Sequence, residues 1–101
     1  MKIILFRRLE IKNNPDSIKR FIKTMESEIV PKVGDKYHEH HFGFFKHVIV
    51  DEVIVNYEKN EYHVLLTKGT IAEKNSDRIL LYSQEMIENG WSVYEKGVEN
   101  I

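Results

Sequence analysis

Apolar residues at the start of the chain fall into two interleaved sets. Ile3, Leu5, Leu9 and Ile11 share one parity, and Ile4 and Phe6 take the other. Strand side chains alternate between faces, so the pattern predicts a strand from Lys2 to Ile11 that is covered on both sides near its start, as a central strand is. The period then changes. Asn14 suits a helix cap, Pro15 the first helical position, and Asp16 the helix dipole. Ile18, Phe21, Ile22, Met25 and Ile29 follow at spacings of three and four. That spacing predicts an amphipathic helix, which Pro31 ends.

Pro31-Lys32-Val33-Gly34-Asp35 reads as a turn into extended chain, and residues 36–46 as an irregular strand or long loop. His47 to Tyr57 is strongly β. Its alternation breaks at Asp51-Glu52, where a bulge would carry both carboxylates out of the core. Glu58-Lys59-Asn60 is a tight turn, with Asn60 able to take a positive φ, and Tyr62, Val64 and Leu66 return as a hairpin partner. Asn75 or Ser76 caps a second helix with Ile79, Leu80, Met86 and Ile87 on its buried face. Asn89-Gly90 ends it. Trp91, Val93 and Tyr94 form a last short strand.

This order predicts one α+β domain over residues 1–101. A ferredoxin-like β-α-β-β-α-β two-layer sandwich fits it. The alternative is a bent sheet or partial barrel centred on residues 47–66, with two flanking helices. Phe21, Met25, Leu80 and Ile87 are expected to be buried against the sheet in either arrangement.

The composition, 42% hydrophobic and 31% charged over 101 residues, is that of an ordinary globular domain. The chain has no cysteine, which excludes a disulfide scaffold, thiolate zinc sites and thiol catalysis. No apolar run approaches the roughly 20 residues of a membrane span, and the N-terminal apolar run is too short for a signal peptide. A soluble, cytoplasmic protein is expected. Formal net charge is −1. Residues 1–50 hold ten Lys/Arg against six Asp/Glu, and residues 51–101 hold five against ten. Interleaving of the two halves in space would neutralise most of that polarity.

The chemistry-bearing residues form three groups. All five histidines, His38, His40, His41, His47 and His63, fall in the middle of the chain beside Glu39. On an extended segment His38 and His40 point to one side, a chelating arrangement for zinc. The plainer reading is a solvated polar segment. Tyr37, Phe42, Phe44 and Phe45, with Trp91 and Tyr94, form the second group. They either close one end of the core or make an aromatic patch that docks a partner, with Asp77, Glu85, Glu88, Glu95 and Glu99 as its rim. In the third group, Arg7, Arg8, Lys19, Arg20 and Lys23 offer a basic face for weak phosphate-backbone binding. A solvated helix face explains them equally. No phosphate-binding glycine loop, G-x-S-x-G elbow or H-E-x-x-H motif is present, so the chain carries no recognisable catalytic motif.

Pro31-Lys32-Val33-Gly34-Asp35, His47-Val48-Ile49-Val50-Asp51-Glu52-Val53 and Tyr62-His63-Val64-Leu65-Leu66 together resemble small phage and prophage proteins, in which a P-x-V-G-D/E stretch leads into a curved β-hairpin of small-barrel type. The resemblance covers the middle of the chain and supplies no catalytic residues. It implies a mobile-element protein that binds, and inhibits, a host factor. The expected function is a small non-enzymatic interaction protein. Another protein is the preferred partner, a homodimer through an open sheet edge comes next, and nucleic acid last. A zinc-binding histidine cluster and weak nucleic-acid binding are the alternatives.

Overall fold

The computed structural model describes residues 1–42 and 47–94. The chain is mostly β. A mixed sheet is built from β1 (Lys2–Ile11), β2 (Asn14–Glu26), β3 (Val50–Asn56), β4 (Glu61–Leu66), β5 (Gly69–Ile71) and β6 (Ser92–Tyr94), with one α-helix, α1 (Arg78–Glu88), among the described residues. Strand order is β3-β4-β1-β2-β6. β1 is central, as its two apolar parities predict. β2 lies antiparallel along one edge, and β4 then β5 lie parallel along the other.

The α+β reading with two flanking helices, whether ferredoxin-like sandwich or bent sheet, is overturned by β2. Residues expected to form the first helix are a thirteen-residue strand paired with β1 from Lys2↔Glu26 to Ile11↔Asn14. Its apolar residues mimic helical spacing because both faces of the strand are partly covered. Phe21 and Met25 face the side that carries α1, whereas Ile22 pairs with Phe6 on the other. β-Branched and aromatic residues at 18, 21, 22 and 24 favour extended chain once a partner strand is available. The cap-like Asn13-Asn14-Pro15 is the hairpin turn. Asn13 takes φ 63°, and Pro15 falls where the ladder is irregular. There Ser17 replaces ladder bonds, its Oγ accepting from the Ile11 amide at 2.8 Å and donating to the Asn14 carbonyl at 2.6 Å.

The second half follows expectation more closely. β3 and β4 form the hairpin, with Asn60 at φ 56°, and the register slips between Val50 and Glu52, so Asp51 is bulged and both carboxylates are exposed. α1 ends at Asn89-Gly90 with Gly90 at φ 93°. Its inward face is narrower than expected. Ile79, Ser83 and Met86 are buried, but Leu80 and Ile87 are 68% and 52% exposed. One helix over a broad sheet buries a single stripe, so the flanking leucine and isoleucine stay outside.

The core lies on the face shared by Ile3, Leu5, Leu9, Phe21, Val64 and Leu66, roofed by α1, Phe42, Val48 and Trp91. The basic and acidic halves of the chain interleave, as the Lys2–Glu61 and Lys68–Glu10 ion pairs show. No helix among the described residues is long and apolar enough to cross a membrane.

The strand assignment of β2 has a direct test. Phe21→Ala should cost about 3–5 kcal/mol of unfolding free energy by opening a core cavity. Leu80→Ala should change it by no more than about 0.5 kcal/mol, as exposed substitutions do. Urea denaturation of both variants measures the contrast, which a helix burying both residues would erase.

Candidate functional site

The histidines do not converge. Among the described residues no group of three His, Asp or Glu side chains is placed to hold a metal ion. His38, His40 and His47 are exposed, and His63 sits on β4 on the sheet face away from α1. The short 3-10 turn at His40–Phe42 breaks the extended geometry that would have aligned His38 with His40.

His41 instead belongs to a brace centred on Glu39. The Glu39 carboxylate accepts from Tyr37 Oη at 2.6 Å, His41 Nε2 at 2.7 Å, Trp91 Nε1 at 3.0 Å and Lys23 Nζ at 3.1 Å. Lys23 also donates to the Asn89 carbonyl at 3.0 Å and lies over the Trp91 ring. Burial alone would raise the Glu39 carboxyl. The hydrogen bonds from Tyr37, Trp91, His41 and Lys23 outweigh it and hold the group below the ordinary carboxylate range. The Tyr37 hydroxyl is pushed up by burial and by its bond to that carboxylate. Every donor around Glu39 ties one part of the fold to another, so the cluster is structural.

The aromatic group divides as well. Phe42 and Trp91 are core residues, 3% and 2% exposed, and present almost no surface to a partner. Tyr37 is half-buried and packs on the core. Phe44 and Phe45 lie outside the described residues. Only Tyr94 stands on the uncovered face, in edge contact with Phe6.

Because residues 14–26 are a strand, the basic face splits across the sheet. Arg7 is buried at 2%, donates to the Thr67 carbonyl where β4 gives way to β5, and lies over the Phe42 ring. Burial lowers its guanidinium to about 10. Lys19 and Lys23 share its side of the sheet, whereas Arg8 and Arg20 face each other across the β1–β2 ladder on the opposite side.

That opposite face holds the candidate site. α1 and the loop before β3 cover one side of the sheet and leave the other to form a hollow of about 560 Å³. Its floor is apolar: Phe6, Leu65 and Ile54, with His63 set edge-on to Phe6 at 5.9 Å. His63 is held in place by donating to Glu61 at 2.9 Å, and Glu61 is paired with Lys2 at 3.3 Å. The bond from His63 is the chief cause of a lowered Glu61 carboxyl. Asp51 and Glu52, carried out by the β3 bulge, form one wall. Arg8 and Arg20 form the other, beside Tyr94.

No known protein family matches the chain, and neither the curated proteins nor the solved structures include one similar to it.

Sequence reasoning recognised the Asp51-Glu52 bulge, but not that its carboxylates would face two arginines across an apolar floor. The signal was the second parity of β1, Ile4-Phe6-Arg8, which gives the uncovered face its own apolar and charged positions. The Glu39 brace left no such signal, because its donors come from residues 23, 37, 41 and 91.

The brace predicts a pH dependence. A carboxyl lowered by folding stabilises the native state above its unfolded value of 4.5, and that stability is lost as pH falls through the lower folded value. Glu39→Gln should therefore cost roughly 2–3 kcal/mol at neutral pH, the scale of hydrogen bonds to a charged group. The gap to the unaltered protein should narrow steadily below pH 4.5, as chemical denaturation across that range would read directly.

Proposed function

We propose that this chain is a non-enzymatic interaction domain that binds another protein through the uncovered face of its sheet. The observation that supports this reading is the hollow of about 560 Å³, with its apolar floor between walls of opposite charge. Such a surface combines the two elements of a protein-docking patch. Apolar and aromatic groups supply burial, and a charged margin fixes orientation and excludes partners of the wrong pattern. The floor is ordered by its own contacts, Phe6 against His63 and Tyr94, and His63 against Glu61. A pre-arranged surface loses less entropy on binding.

Another hollow, of about 610 Å³, lies between α1 and the 3-10 turn and is bordered by His40, Arg78 and Glu85. Its surroundings are more polar and have no comparable separation of charge.

Site-specific photocrosslinking tests the assignment. A photoreactive residue in place of Ile54, which is 44% exposed on the floor, should give a discrete protein adduct in the source cell. The same group in place of Leu80, on the outer side of α1, should not. Equal adducts from both positions, or none from position 54, would remove the uncovered face as the docking surface.

A further inference from the structure

We infer that the uncovered face pairs with the same face of a second copy of this chain, an inference that rests on that face being a protein-docking surface. Its charges are arranged in the order that self-pairing requires. Asp51 and Glu52 lie on β3, Leu65 on β4, Phe6 and Arg8 on β1, and Arg20 on β2. Strands are about 4.8 Å apart, so the acidic and basic walls are separated by two to three strand spacings, roughly 10–14 Å.

Consider a two-fold axis in the plane of contact, parallel to the strands and above the boundary of β4 and β1. Rotation about it exchanges left and right and keeps position along the strands. Each copy's arginines then lie over the other copy's carboxylates, twice per dimer, and the apolar strips meet at the centre. A two-fold contact needs a patch complementary to itself. Opposite charges on opposite sides of an apolar strip meet that condition, whereas a patch of one sign does not.

The register supports the match. Glu52 pairs with Leu65 and Leu65 with Phe6, so these residues share one row across the sheet. Arg8 lies two residues farther along β1, roughly 7 Å at strand rise, a distance the long arginine side chain can span. The hollow provides room for such side chains from the facing copy. Arg8 and Arg20 stand directly opposite each other in the β1–β2 register, and like charges so placed oppose folding of the isolated chain. Carboxylates from a second copy would offset that repulsion with charge-assisted hydrogen bonds.

Sedimentation equilibrium of the purified chain over a wide concentration range should show a monomer–dimer equilibrium. The double variant Arg8→Glu with Arg20→Glu should be monomeric, and so should Asp51→Lys with Glu52→Lys. Mixed in equal amounts, the two should recover the dimer, because every reversed wall then meets its complement. The single variant Arg8→Gln, a milder change at an exposed position, should weaken the dimer by at least about tenfold. A monomeric unaltered chain would overturn the inference. So would a dimer that persists in both charge-reversed variants, or a mixture that stays monomeric while the unaltered chain pairs. A monomeric chain that still captures a different protein through position 54 would refute self-pairing and leave the docking surface standing. A monomeric chain with no such adduct would end both.

Discussion

The pairing of β1 on both edges is the constraint from which the rest of the fold follows. An antiparallel neighbour can be reached through a tight turn, and β2 is reached through Lys12-Asn13. A parallel neighbour requires the chain to return to the same end of the sheet before pairing. β4 therefore follows only after β2, the long loop and β3. The parallel edge is shared between two short strands, and the break between them leaves the Thr67 carbonyl facing the core side. Arg7 fills that break from β1 itself. A cation in the middle of an apolar parity is costly to bury, as its guanidinium lowered to about 10 records. Its contacts with Thr67 and the Phe42 ring offset that cost where the sheet would otherwise have an unsatisfied gap.

The roof over the core depends on a second polar group. Between β2 and β3 the described chain crosses the core face without a long regular element, and such a segment needs side-chain anchors. Glu39 supplies them by accepting from Lys23 on β2, from Tyr37 and His41 of the crossing segment, and from Trp91 beyond α1. The indole is thereby fixed in orientation as well as buried. Gly34 and Asp35 tie the start of the segment to Val50, and Tyr37 bonds Val48, so the crossing chain also pairs with the approach to β3. The histidines and aromatics concentrated there serve this closure, although their composition suggested a metal site or an exposed patch.

What was legible in the sequence follows the range of the interactions involved. Asn60 in its turn, Gly90 after α1, the break at Asp51-Glu52 and the two-sided character of β1 are local, each set by a few adjacent residues. β2 was illegible because its decisive partner is across the hairpin. Alone, Ile18, Phe21, Ile22 and Met25 satisfy a helical period. Paired with β1, the same residues divide between two faces, and pairing along thirteen residues outweighs a propensity worth tenths of a kcal/mol per residue. The basic face proposed from Arg7, Arg8, Lys19, Arg20 and Lys23 failed for the same reason, since the change from a 3.6 to a 2.0 period redistributes side chains between faces. Mistaking one element thus misplaced both the fold class and part of the candidate site.

The same two-sided strand explains why the uncovered face is a formed surface rather than a merely exposed one. A sheet with a single helical layer must leave its other side to solvent, and a monomer usually makes that side polar. Here β1 places Phe6 on it, 7% exposed, and β4 places His63 there, 1% exposed. Both are buried without a second layer, by each other and by Tyr94 reaching over from β6. A buried histidine needs a partner, and Glu61 two residues earlier on the same face provides one, held in turn by Lys2. The floor is therefore fixed before anything binds. The charged walls arise from different causes, the acidic one from a bulge in β3 and the basic one from direct opposition of Arg8 and Arg20 across a regular ladder. Neither feature is needed to close the core, and the opposed arginines work against it. Their placement beside an ordered apolar floor, facing carboxylates across the same hollow, is accounted for by contact with a partner whose charges are disposed in reverse.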